Sequence, residues 1–309
     1  MTPTVLVPLD GSDKDQRAIP AAAAVADLAG GDVHLIRVFD TPVESLSSRA
    51  RTFGLAEAAR ETRNDMERGI QGIADRLTAD TGRSVTAEVA EGFDIASVLL
   101  TRASERSADL VVMATRASGA LVRGLRGSVA DRVMRESGRP VVLVPPLPDD
   151  VKGKPVELAR ALVPLDGSDV ALSTIDYLLR LKRASDLEYV LLEVVTSGRV
   201  SERVADAPAL QPFQNSPDFA RARADAEQRL NRVADRLRKH GVKDVRVRAI
   251  EGADPGAAIS RAARDEQVDF IAMSTRGKGG LKRFVFGSTA EKVVRESDIP
   301  VLLVTPADR

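Results

Sequence analysis

The sequence predicts an α/β protein of two Rossmann-like doubly wound domains, each with a five-stranded parallel sheet in the order 3-2-1-4-5. Three observations predict this fold. The segment Val7–Ser12 returns 156 positions later at Val163–Ser168, and Gly127-Ser128 returns 160 positions later at Gly287-Ser288. Short β-branched runs alternate with long amphipathic stretches, which is the pattern of strands joined by crossover helices. Several runs are almost wholly apolar, as parallel strands covered on both faces by helices are.

Each half of the sequence contains five predicted strands. Pro20 lies in an otherwise helical run after the first strand and should kink or shorten that helix. Further along, Ile95–Glu105 and Phe219–Lys239 are typical of amphipathic helices. The predicted strands are Thr4–Leu9, Val33–Phe39, Val85–Val89, Leu110–Met113 and Val141–Val144, then Ala161–Leu165, Tyr189–Val195, Val245–Ala249, Phe270–Met273 and Val301–Val304.

The two halves are expected to be separate domains, residues 1–146 and 156–309, because each is long enough to bury its own core. Residues 147–155 are the expected linker, within the proline- and charge-rich segment Pro145–Pro155. The second half also carries a loop-like insertion, roughly Ser197–Pro217, between its second strand and the next helix. That insertion explains why the offset between the repeats grows.

The composition excludes several classes of function. Lysine and arginine total 45, aspartate and glutamate also total 45, and only 3% of the residues are aromatic, which argues against a nucleic-acid partner. No cysteine is present, so disulfides and thiolate chemistry are excluded. His34 and His240 lack metal-ligand spacing. The chain shows no basic leader and no apolar run of about 18 residues, so we expect a cytoplasmic protein without a membrane partner.

The candidate site lies beyond the carboxyl ends of the strands, where ligands of open α/β sheets bind. One loop begins there at Asp10, or at Asp166 in the second half, and another follows the fourth strand. In the second half that other loop is rich in glycine, which lets backbone N–H groups approach a phosphate, and it ends where Ser288 and Thr289 open a helix that favours anions. The sequence therefore predicts a phosphate cradle. The plainer alternatives are turn or helix-cap roles for both aspartates and ordinary N-caps for both Gly-Ser pairs.

Both halves resemble universal stress protein domains, and the whole chain resembles a tandem member of that family. The family signature is Gly, two residues, Gly, nine residues, then Gly-Ser or Gly-Thr. The second half matches it at Gly277 and Gly287-Ser288 but has Ser274 at the first position. The first half keeps Gly127-Ser128 and has Ala114 and Ala117 in place of the two glycines.

The resemblance implies an adenine nucleotide, ATP with or without Mg, in each half, bound more strongly by the second. It implies ribose and adenine contacts from the end of the first strand, base packing by Val38 or Val194, backbone contacts from the fourth-strand methionine and phosphate contacts from the Gly-Ser pair. The implied binding residues are Pro164, Leu165, Asp166, Val194, Met273, Ser274, Arg276, Gly277, Gly287, Ser288 and Thr289 in the second half, and Pro8, Leu9, Asp10, Val38, Met113, Ala114, Gly127, Ser128 and Val129 in the first.

We therefore expect a stress-response protein that acts as a nucleotide-dependent regulatory or interaction module and not as an enzyme. The Ser-Gly-Gly-x-Asp-Ser loop of nucleotide α-hydrolases is absent, as are the His and Lys signatures of class I synthetases. A nucleotide-free interaction or dimerisation module and a slow ATPase remain the alternatives. Single-domain relatives pair through the last strand, so the resemblance implies an intramolecular pseudo-dimer through Val141–Val144 and Val301–Val304. A further homodimer of whole chains stays open.

Overall fold

The computed structural model describes residues 2–12, 15–40, 55–115, 129–145, 156–196, 217–275 and 287–305. These residues form two compact units, one extending to Val156 and the other beginning at Glu157. The expected linker, residues 147–155, and almost all of the expected insertion lie outside the described ranges. Within those ranges, no helix is both long enough and apolar enough to cross a membrane.

The first unit is a parallel sheet with helices between its strands. Its strands pair in the order β3-β2-β1-β4-β5. Its elements in chain order are β1 (Thr4–Leu9), α1 (Asp15–Ala29), β2 (Asp32–Phe39), α2 (Leu55–Thr81), β3 (Val85–Glu91), α3 (Ile95–Glu105), β4 (Leu110–Ala114), α4 (Val129–Glu136) and β5 (Val141–Val144).

The second unit repeats this arrangement, with strands in the order β8-β7-β6-β9-β10. A short 3₁₀ turn at Ala184–Asp186 precedes its second strand. Its elements are β6 (Arg160–Pro164), α5 (Asp169–Leu178), β7 (Glu188–Val195), α6 (Pro217–Lys239), β8 (Val245–Glu251), α7 (Pro255–Asp265), β9 (Phe270–Ser274), α8 (Ser288–Glu296) and β10 (Val301–Val304).

The central strands of both units are covered on both faces. Leu6 and Val7 follow each other in β1, and Leu162 and Val163 do so in β6, and all four side chains are 0% exposed. Because successive strand side chains point to opposite faces of a sheet, their burial requires helices on both sides. The near-continuous apolar runs in the sequence are therefore explained by the parallel, doubly covered sheet.

The predicted strand order 3-2-1-4-5 is confirmed in both units, and strand ends differ from the expectation by two residues at most. The expected shortening of the first helix at Pro20 is wrong, since α1 continues through that residue to Ala29. The first residues of β2 and β7 differ by 156 positions, and those of β3 and β8 differ by 160. The repeat offset therefore grows between the second and third strands, where the insertion was expected.

Candidate functional site

The two loops expected to form the site leave neighbouring strands at the same level. In the second unit Leu162 pairs with Ile271, so Pro164 and Met273 are level with each other two residues further along. Pro164 is also paired with Leu192 of β7. Adjacent strands are about 4.8 Å apart, so the segments that follow β6, β7 and β9 begin close together. The first unit has the same register, since Leu6 pairs with Val111.

The turn after the first strand of each unit holds its aspartate in a fixed position. Asp10 Oδ1 accepts the Ser12 N–H at 2.9 Å, and Asp166 Oδ1 accepts the Ser168 N–H at 2.9 Å together with the Ser168 hydroxyl. The glycine between them is left-handed, with φ of +82° at Gly11 and +76° at its counterpart in the second unit. A residue with a Cβ is strained in that conformation. The turn therefore requires glycine.

The cap of α5 is Ser168, and Asp166 is not the cap. Ser168 Oγ accepts the Ala171 N–H at 3.2 Å and satisfies one of the free donors of the first helical turn. Asp166 stands before the cap, and the cap residue itself holds its carboxylate. This arrangement leaves the carboxylate at the end of β6, where the resemblance expects a ribose contact.

The glycine-rich loop of the second unit is closed at its base by two backbone hydrogen bonds. Thr275 N–H donates to Val304 O at 3.0 Å, and Gly287 N–H donates to Thr275 O at 2.9 Å. Gly287 is the N-cap of α8 and supplies no side-chain hydrogen bond. The N-cap in this Gly-Ser pair is therefore Gly287, and Ser288 is the first residue of the helix. Among the residues that the structure describes, no side chain caps the first N–H groups of α8, and free first-turn donors are what an anion-binding helix start requires.

The side chains expected to meet the base and ribose differ in exposure. Leu165, Met273 and Ser274 are each 6% exposed. The side chain of Met273 is therefore part of the core, as expected, and a ligand contact through its backbone stays a prediction. Val194 is mostly buried, whereas Pro164 and Asp166 are half-buried. In the helix that follows, Ser288 is exposed and Thr289 is half-buried.

The first unit presents the equivalent residues at the same strand ends. Leu9 and Met113 are buried, and Asp10 is exposed. The half-buried residues are Pro8, Val38, Ala114 and Val129. Four residues implied by the resemblance, Arg276, Gly277, Gly127 and Ser128, lie outside the described residues.

Ala114 is in the same conformation as its counterpart Ser274 in the second unit. Both residues end a fourth strand, and neither has a positive φ. Ala114 therefore carries no backbone strain, because a strand conformation suits any residue with a Cβ. Any effect of this substitution on a ligand comes from its methyl group.

Sequence reasoning missed an ion pair that joins the helix of the Gly-Ser pair to the start of the preceding helix. In the second unit Lys292 of α8 pairs with Asp254, the N-cap of α7, and lowers the pKa of that carboxyl. In the first unit hydrogen bonds from Ser97 and Arg132 lower the pKa of Asp94 to about 2. Asp94 and Asp254 are 160 positions apart, and so are Arg132 and Lys292. The repeat offset is the signal that could have found them.

The part of the chain that the structure describes holds no group of three or more His, Asp or Glu side chains that could bind a metal ion. The carboxylates near the strand ends are instead separate from one another. Each accepts hydrogen bonds from its own turn or helix start, as Asp10 and Asp94 do. The arrangement can bind a polar or anionic ligand.

Comparison with known proteins identifies relatives across the whole chain. The profile of the universal stress protein family matches twice, over residues 1–145 and 158–305. A universal stress protein from Mycolicibacterium smegmatis is 26% identical over 304 residues, which cover 98% of this chain and 97% of the relative. One from Methanocaldococcus jannaschii is 30% identical over 145 residues, 47% of this chain and 81% of the relative.

A solved structure shares the fold over nearly the full length. The crystal structure of a universal stress protein from Archaeoglobus fulgidus aligns with 99% of this chain and 97% of its own, with a TM-score of 0.66 and 20% sequence identity. At that identity the likeness concerns the fold. It covers both units of the chain.

Proposed function

This chain belongs to the universal stress protein family, and from that premise we propose that its second unit binds ATP, which regulates an interaction of the protein. The observation that carries this proposal is the position of α8. Its uncapped first turn is joined through Gly287 N–H to Thr275 O, 2.9 Å away. That junction lies beside the end of β6, which presents Asp166.

The two ends of the nucleotide have separate partners in this proposal. The first-turn N–H groups of α8 and the hydroxyls of Ser288 and Thr289 bind phosphate oxygens, because the helix dipole and the free donors favour negative charge. Asp166 accepts hydrogen bonds from the ribose hydroxyls. Val194 and the backbone of Met273 lie against the adenine. Magnesium would accompany the phosphates, since the described residues supply no cluster of ligands for it.

The first unit binds the same nucleotide more weakly in this proposal. Its loop carries Ala117 where the second unit has Gly277, and a Cβ there would stand close to the phosphates. Each tenfold of affinity corresponds to about 1.4 kcal/mol, so a single crowded contact is enough to separate the two units.

Binding, and not turnover, is the proposed activity. Hydrolysis needs a positioned water and stabilisation of the charge that develops in the transition state. None of the described side chains near the strand ends is a candidate for positioning that water. The alternatives remain a nucleotide-free interaction module and a slow ATPase.

Calorimetric titration of the full chain with ATP tests the proposal. Gly277→Val should weaken ATP binding by about tenfold or more, because the new side chain would meet the phosphates. The matched control is Ala117→Val at the equivalent position of the first half, which should leave the tighter binding unchanged. The same samples should release phosphate far more slowly than about 1 s⁻¹, the low end for dedicated enzymes.

Three results would contradict the proposal. Equal ATP affinities of the wild type and Gly277→Val would show that ATP does not bind at the proposed site of the second unit. No binding of ATP by the wild type would favour the nucleotide-free module. Turnover at the rate of a dedicated enzyme would replace the regulatory role with a catalytic one.

A further inference from the structure

The two units carry opposite charges at one position of their second strands. Arg37 of β2 and Glu193 of β7 are 156 positions apart and are therefore equivalent. The carboxylate of Glu193 is only 1% exposed and accepts two hydrogen bonds from Arg229 of α6, at 2.6 and 3.2 Å. In the second unit the charge at this position is therefore neutralised inside the protein.

The first unit has lost both members of that pair. Gly69 of α2 is the equivalent of Arg229, 160 positions earlier. Arg37 consequently has no charged partner on the helix that covers it. Among the residues that the structure describes, no hydrogen bond or ion pair is made by the Arg37 side chain.

The Arg37 guanidinium lies instead over the turn that follows β1. Arg37 is paired with Leu9, and Asp10 is the next residue of the chain. A Cβ placed on Gly11 would collide with the Arg37 guanidinium, at Nη2 and Cζ. The absence of a Cβ on Gly11 leaves room for the guanidinium there. A half-buried cation without a described partner therefore lies against the turn where the resemblance places a ribose.

We propose that Arg37 gives the first unit a binding site for a phosphate group carried on the ribose of an adenine nucleotide, at its 2′ or 3′ position. A guanidinium offers a planar set of N–H donors that matches phosphate oxygens. In related α/β nucleotide sites, an acidic residue suits a ribose with free hydroxyls and a nearby arginine accommodates a ribose phosphate. Arg37 would also offset the repulsion between such a phosphate and Asp10.

The described residues of the second unit do not repeat this feature. Position 193 carries a carboxylate there instead of a guanidinium, and that carboxylate is bound by Arg229. The two units of one chain would then select different nucleotides, the second a 5′-phosphate with free ribose hydroxyls and the first a nucleotide with an additional ribose phosphate. This inference rests on the proposed function in one respect only, the placement of the ribose at the aspartate turn.

Titration of the full-length protein tests the inference. The probes are adenosine 3′,5′-bisphosphate, adenosine 2′,5′-bisphosphate, 5′-AMP and inorganic phosphate. The wild type should bind at least one bisphosphate more tightly than 5′-AMP. Arg37→Gln should lower the affinity for that bisphosphate by about tenfold, which is the effect of losing one charge-assisted hydrogen bond. It should change the affinity for 5′-AMP little. Arg221→Gln removes an exposed arginine of α6 and controls for net charge.

Each other outcome overturns the inference. Equal losses for bisphosphate and 5′-AMP would make Arg37 a structural residue of the turn. Failure of the wild type to bind either bisphosphate would show that the proposed site does not exist. If inorganic phosphate bound as tightly as the bisphosphate, Arg37 would bind anions without recognising the nucleotide. Thermal unfolding of Arg37→Gln would show whether the variant is folded. Because the ATP test uses Gly277 in the other unit, the two proposals can fail separately.

Discussion

At the scale of single residues, His34 is a buried titratable group that the first unit has and the second lacks at the equivalent position. Its Nδ1 is 2.7 Å from Thr86 Oγ1 and its Nε2 is 3.4 Å from Glu88 Oε1, a contact that is too poorly aligned for a hydrogen bond. Burial lowers the pKa of His34, and the positive charge of Arg106 lowers it further, against the opposing effect of Glu88. In the second unit the equivalent residue is Val190.

The lowered pKa of His34 predicts a stability that falls with acid. The unfolded chain takes up this proton near the ordinary histidine pKa of 6.5, whereas the folded protein takes it up at a lower pH. Below 6.5 the unfolded state binds more protons, so the free energy of unfolding decreases as the pH falls through that window. His34→Val, which copies the second unit, should flatten this decrease between about pH 7 and pH 5.

Urea unfolding at several pH values measures the effect. His240→Val, which removes the exposed histidine, controls for the loss of an imidazole. An unchanged slope in His34→Val would show that the buried imidazole does not titrate in this range.

At the scale of elements, one buried ion pair joins β7 to α6. Removal of Arg229 would leave the Glu193 carboxylate, 1% exposed, without the two hydrogen bonds that it accepts from this guanidinium. A buried charge that loses its partner is costly, so Arg229→Met should lower the free energy of unfolding by about 2–3 kcal/mol, a value reduced for the partial exposure of the arginine. The double variant Glu193→Leu/Arg229→Met should recover most of that loss, since it removes both charges.

Denaturant unfolding of the single and double variants gives the comparison. The first unit shows that the fold tolerates the absence of this pair, because Arg37 and Gly69 occupy the same positions there. If the double variant were as unstable as the single one, the pair would matter through its packing and not through its charge.

The limits of the sequence are also visible at this scale. The strands β1, β5 and β10 have the predicted bounds because their apolar runs end abruptly at polar or proline-rich segments. Glu193 could not be recognised as buried, because its partner on α6 is 36 residues away and no local pattern joins them. The turn at Asp166 was placed from its sequence, but the capping role of Ser168 depends on backbone geometry.

The candidate site was predictable where it repeats and not where it differs. Both aspartate turns and both Gly-Ser pairs stand out because each occurs twice. Arg37 was overlooked for the opposite reason, since its counterpart Glu193 has the other charge. A comparison of the two copies in the sequence finds the residues that they share. The difference in charge between Arg37 and Glu193 could be interpreted only once the strand pairing placed both residues beside the first strand of their units.

At the scale of the whole molecule, the arrangement of the two units remains a prediction. The last strand of each unit, Val141–Val144 and Val301–Val304, is short and wholly apolar, and a bare apolar edge strand favours uncontrolled association. The segment Pro145–Pro155 has 11 residues and could span about 36 Å when extended. That length is sufficient for the two units to pair through these strands, as single-domain relatives in the family are expected to do.

Cysteine crosslinking tests this pseudo-dimer directly, because the chain has no cysteine of its own. Leu143→Cys combined with Leu303→Cys should form a bond within one chain under mild oxidation, since paired strands bring such positions within disulfide reach. The single variants control for bonds between chains and for the cost of replacing a buried leucine. Absence of an intrachain bond in a folded double variant, together with solution scattering from two separated lobes, would rule out the pseudo-dimer. An intrachain bond would mean that the proposed nucleotide sites of both units belong to one body, so that a ligand bound to one unit has a physical route to the other.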